Sequence, residues 1–183
     1  SFARCEDDPS KFFEQNGYYY EEDETIGTLV PHLEKLGIAE SPDGLNTAKP
    51  LLLKTNARSI LEPYLRSPDI QLCITIGSDP GHLFIFSLQP GQKEYIILHL
   101  WSPKSEVELC HNSHLDPPGL PPLKAAHASN GLLEPPRAAL KKRGYCPVSV
   151  NMEHGGLTIT DRRFWFGVLK GSTATFDLRK IIV

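Results

Sequence analysis

Seven histidines are distributed over 183 residues, and four of them, His82, His99, His111 and His114, fall between Gly77 and Leu115. An imidazole titrates near neutrality and ligates metals, so this stretch is the first candidate for chemistry. His111-x-x-His114, with His127 beyond it and Asp116 as a carboxylate, has the donor types of a zinc or iron site. The same residues also read as two histidines flanking a strand end and a third exposed in a proline-rich loop. His99 lies in YIILHLW, where a histidine on a strand is as readily a satisfied core side chain. Cys110 beside His111 has the types of a nucleophile and its base, but neighbours along a strand point to opposite faces. Asp161-Arg162-Arg163 offers guanidiniums to an anionic ligand, or forms a charged turn. There is no phosphate-binding glycine loop ending in Lys-Ser/Thr, no GxSxG and no HExxH.

The chain that must position these groups has 40% hydrophobic residues and a net charge of -3. Its length and composition predict one domain, residues 1–183, with a substantial core. The charge provides no basic field for nucleic acid, Lys141-Lys142-Arg143 reading as a solvated face. No apolar run approaches the roughly 20 residues of a membrane span. Cys5, Cys73, Cys110 and Cys146 form no CxxC pair. With no signal-peptide core at the start, they point to a reducing intracellular compartment, cytoplasm or nucleus, although an even count leaves two disulfides open.

Residues 1–68 read as a helical part that packs on a barrel. DPSKFFEQNG is predicted as a short helix with Ser10 as its cap and Gly17 as its stop. Tyr18 to Tyr20 follow as an extended segment. Ile26, Leu29, Val30, Leu33 and Leu36 recur at helical spacing, with Pro31 either starting the helix or kinking it and Gly37 ending the run. SPDGLN reads as a loop and Leu51 to Leu53 as a short strand. Ser59 to Glu62 matches a capping box before another helix. Residues 69–183 read as a β core: IQLCITIG, LFIFSL, EYIILHLW and EVELCH are rich in β-branched and aromatic residues and separated by turns. Residues 115–136 hold six of the sixteen prolines and are predicted as a surface loop or lid. A short helix in PPRAALKKRG and further strands complete the chain. Short strands joined by Pro/Gly turns predict an antiparallel sandwich or barrel.

FFEQNGYYY followed by an amphipathic helix, then HNSHL after a strand, then GGLTITDRRFWFG, resembles in order the phytanoyl-CoA dioxygenase-like family. The resemblance implies a mainly β fold with flanking helices, a double-stranded β-helix of the jelly-roll, cupin-like kind. It also implies Fe(II) and 2-oxoglutarate, the metal being held by a His-x-Asp pair and a distal histidine. The nearest match to the pair is His82-Leu83-Phe84, with a phenyl ring where the carboxylate belongs. The distal histidine is expected near Phe164 to Phe166, and Arg179 is the late candidate for the 2-oxoglutarate carboxylate.

With those ligands missing, the expectation is a non-catalytic or repurposed dioxygenase-like domain that holds no metal or cofactor. His82, Phe84, His99, Trp101, Arg163 and Trp165 would line a pocket for a small molecule or a protein partner. One alternative is an active metalloenzyme, iron with 2-oxoglutarate, or metal on His111, His114 and His127. Another is an interaction domain that uses its sheet edges or PPGLPP.

Overall fold

The computed structural model describes residues 8–182, so Cys5 lies outside the described residues. The first part of the chain carries α1 (Pro9–Asn16), β1 (Tyr18–Glu22), α2 (Glu24–Lys35), α3 (Pro42–Leu52) and α4 (Arg58–Leu65). Then follow β2 (Asp69–Gly77), β3 (Tyr95–Trp101), β4 (Ser105–His111), β5 (Ala126–His127) and β6 (Leu133–Glu134). The chain ends with α5 (Ala139–Arg143), β7 (Cys146–Met152), β8 (Gly156–Thr160), β9 (Phe166–Lys170) and β10 (Ser172–Arg179). The protein is thus mainly β, with antiparallel sheets and flanking helices.

The first sheet has the order β1-β8-β3-β10-β2 and the second β7-β4-β9. Two isolated antiparallel bridges, Phe84 to Phe166 and Ile85 to Leu133, join the second sheet through residues 83–86 to the β5-β6 pair. The helices cover one face of the first sheet. Along β3 the residues Ile96, Leu98 and Leu100 pack towards α2, α3 and α4, against Ile26, Leu33, Leu45, Leu52 and Leu61. Period-two alternation sends Ile97, His99 and Trp101 to the other face, between the sheets. A Leu or Ile buried this completely contributes about 1.5–3 kcal/mol over an exposed one. The helical layer is therefore a principal source of stability.

Several local expectations change. Asp8, not Ser10, caps α1 by accepting from Lys11 N, while Gly17 ends it in the left-handed conformation. Residues 42–52 are helix rather than loop and strand: Pro42 starts α3 and buries Gly44, Leu45, Ala48 and Leu52 on one side. α2 runs through Pro31 as one helix, and Ser59 falls inside α4 rather than capping it. The extended segment expected at Tyr18 to Tyr20 is β1, which pairs with β8 in the first sheet. At the other margin of that sheet Glu40 Oε1 accepts from Thr75 N at 2.9 Å and Thr75 Oγ1 at 2.6 Å.

Candidate functional site

The space between the sheets has two unlike walls. On the first sheet the ladder places Tyr20, Thr158, His99, Thr175 and Ile74 in one row. The next row holds Tyr18, Thr160, Ile97, Asp177 and Leu72. Thr173 lies beside Trp101 on the other flank. The second sheet answers with Phe84, Phe166, Val107, Leu109 and Val168, all buried. Polar side chains on one wall thus face rings and aliphatic groups on the other.

His99 is at the centre and fully buried. Its Nδ1 is 2.8 Å from Thr175 Oγ1, which lies 3.1 Å from Thr173 Oγ1. Its Nε2 has no hydrogen-bond partner among the described residues. The ring sits 4.5 Å from Phe166, 5.5 Å from Trp101 and 6.4 Å from Phe86, centre to centre. Burial among these rings lowers its pKa to about 3, so it is neutral at ordinary pH. Trp101 Nε1 donates to Thr158 Oγ1 at 3.0 Å. At one end Arg162 Nη2 donates to Asp177 Oδ2 at 2.7 Å, with its guanidinium 4.1 Å above the centre of the Tyr95 ring. Desolvation raises the Asp177 pKa, and Arg162 works against that shift.

The expected pocket residues do not come together in one cavity. Phe84, His99 and Trp101 pack in this interior, where Phe84 and Phe166 exchange backbone hydrogen bonds, N to O, at 2.8 and 3.1 Å. His82 points elsewhere. It follows the turn at Pro80 and Gly81 and lies outside any strand, so strand alternation does not put it on the face of Phe84. Its side chain is half exposed, with Nδ1 hydrogen-bonded to Glu134 and Nε2 3.8 Å from Asp79 Oδ1. These carboxylates, Glu134 first, raise its pKa. Trp165 lies on the outer side of the second sheet with Leu83, Ile85, Cys110 and Tyr145. Arg163 is fully buried, donating to Asp116 and, at 2.7 Å, to Leu88 O.

The alternative metal residues are similarly dispersed. His111 meets Tyr18 edge-on at 5.9 Å, the His114 ring lies tilted 6.5 Å from that of Phe164, and His127 is exposed on β5. Burial, then His111, lowers the His114 pKa to about 4. Asp116 is taken by Arg143 and Arg163. Among the described residues no group of three or more His, Cys, Asp or Glu side chains is arranged to hold a metal. Cys110 joins the outer cluster while His111 faces Tyr18, so the two do not pair. Arg179 lies 4.0 Å from Asp69 at an exposed end of the sheet.

Sequence reasoning missed the threonines and Asp177. The signal was present in STATFDLR, where Thr173, Thr175 and Asp177 alternate with Ala174, Phe176 and Leu178. Clefts open elsewhere, one on the second sheet's outer side near Leu83 and Lys124 and one on α2 near Leu29 and His32. No helix of the described residues is long and apolar enough to cross a membrane. No family model matches the chain, and no curated protein matches it.

Proposed function

We propose that the chain is a jelly-roll domain that has lost the residues for iron and acts by binding a protein partner on its outer surface. The winding supports the scaffold. β2, residues 83–86, β3 and β4 alternate between the sheets, and β7, β8, β9 and β10 alternate again. Facing orders of β2-β10-β3-β8 and 83–86-β9-β4-β7 support the reading of a double-stranded β-helix.

One observation carries the functional reading: Phe84 and Phe166 stand paired where the family resemblance expects the carboxylate and the distal histidine. A phenyl ring has no lone pair for a metal. His82, the remaining member of the set, turns outward to Glu134 and Asp79. Fe(II) with 2-oxoglutarate does not fit this residue set. The rings around His99 fill the interior against one another, which favours an external partner over a small molecule inside.

The test is metal analysis of the purified protein after Fe(II) loading under argon, followed by 2-oxoglutarate turnover. The expected result is no stoichiometric iron and no succinate. One tightly held iron per chain with turnover would overturn the reading.

A further inference from the structure

We propose that the outer side of the second sheet carries a docking groove for an extended acidic protein segment. The proposal rests on the chain being a binding domain and names where and what it binds. Two clefts meet there. One, of about 430 Å³, includes Leu83, Ala125 and Pro136 in its walls. The other, of about 310 Å³, includes Leu120, Leu123 and Ala139. Lys124 and Pro136 border both, so the two clefts adjoin, and their other walls are largely apolar. Each half is large enough for ligand side chains.

Charge selects the occupant. The acids bordering the groove are already engaged: Glu108 with Arg137, Glu134 with His82, and Asp116 with Arg143 and Arg163. Lys124 and Lys142 are exposed on the groove, Lys141 is exposed beside it on α5, and none of the three is in an ion pair among the described residues. The unneutralised charge of the groove is therefore positive, on a chain whose net charge is -3. Such a local field attracts carboxylates and leaves their ammonium partners at a solvated rim.

Backbone geometry selects an extended segment. Residues 121–125 run outside any helix or strand into β5, whose one ladder partner among the described residues is β6. The other margin of β5 can take a strand from a partner. Nucleic acid fits less well, because the groove walls contain no aromatic ring on which a base could stack. The two guanidiniums there are already held by Glu108 and Asp116.

The test uses fluorescence anisotropy with a short fluorescein-labelled peptide of alternating leucine and glutamate. Its counterpart has lysine for glutamate. Saturable binding of the acidic peptide is expected. It should weaken about tenfold in the Lys124→Glu/Lys142→Glu variant and fall as salt rises from about 0.05 to 0.3 M. Lys54→Glu, at an exposed position between α3 and α4, should leave binding unchanged. A matching melting curve for the double variant establishes that the fold is kept. The proposal is overturned if the acidic peptide does not saturate, if the lysine peptide binds equally, or if the double substitution has no effect. Preferential binding of polyuridylate or phosphatidylserine vesicles also overturns it, as does competition by self-association of the chain. None of these results bears on iron, so the metal experiment stands or falls separately.

Discussion

Truncating Phe166 to alanine measures whether the interior is packed or open. The side chain is 1% exposed, and its ring centre lies 4.5 Å from His99 and 6.1 Å from both Phe84 and Phe86. Its neighbours belong to both sheets, so they cannot collapse into the space without moving a strand. A Phe→Ala change at such a site costs about 3–5 kcal/mol, combining lost transfer energy with the cavity left behind. With a urea slope of about 2–3 kcal/mol/M, the unfolding midpoint falls by about 1–2.5 M. A loss below about 1 kcal/mol would mean that Phe166 borders an existing pocket. The case against an internal ligand would then fail. Phe84→Ala, alone and combined with Phe166→Ala, completes the cycle, and a coupling of about 0.5–1.5 kcal/mol is expected for rings this close.

Acid should weaken the fold through His99. Its folded pKa, about 3, lies below the unfolded value near 6.5, so the unfolded chain takes up the proton first as pH falls. Stability from this group is complete above about pH 6.5 and declines by about 1.4 kcal/mol per pH unit towards pH 3. Urea melts of His99→Gln should therefore vary by about 2 kcal/mol less between pH 6.5 and 5 than those of the parent; identical pH dependence would refute burial of the neutral ring. Gly27→Ala, usually favourable inside a helix, should here lose more than about 2 kcal/mol by thermal unfolding, because the added Cβ would overlap the backbone carbonyl of His154. Asp116→Ala should destabilise by about 2–3 kcal/mol, less than the full figure for a buried pair because Asp116 is partly exposed, and should speed proteolysis after residues 117–121. Equal cleavage rates would mean that the arginines do not fasten the loop.

Much of the β core was legible because its cause is local. IQLCITIG, EYIILHLW and EVELCH became β2, β3 and β4, and alternation along β3 separates the helix-facing aliphatics from His99 and Trp101. The α3 signal was also there: Leu45, Ala48 and Leu52 repeat at helical spacing, but the turn formers Pro42, Asp43 and Gly44 obscured it. Those residues begin a helix as readily as they make a loop. LFIFSL was overestimated, since Phe84 and Ile85 each make one bridge to different neighbours and no regular ladder forms. The site was least legible. Phe84 and Phe166 meet only through the winding of the sheets, and His82 turns away because a turn interrupts the period of two. Arg163 could be read as a ligand for anions, yet it is committed to Asp116 and Leu88 in a buried contact that no local pattern announces.

The carboxylate of Glu40 seated on Thr75 has a further consequence. An edge strand with bare amides templates fibril growth, each added chain hydrogen-bonding to the last. A strand arriving at β2 would have to displace a charged acceptor from the Thr75 amide and leave that carboxylate stranded. The two Thr75 hydrogen bonds lower the Glu40 pKa, so the barrier persists into mildly acidic solution. One side chain from the loop between α2 and α3 thereby occupies the Thr75 amide at the β2 edge and works against strand addition there.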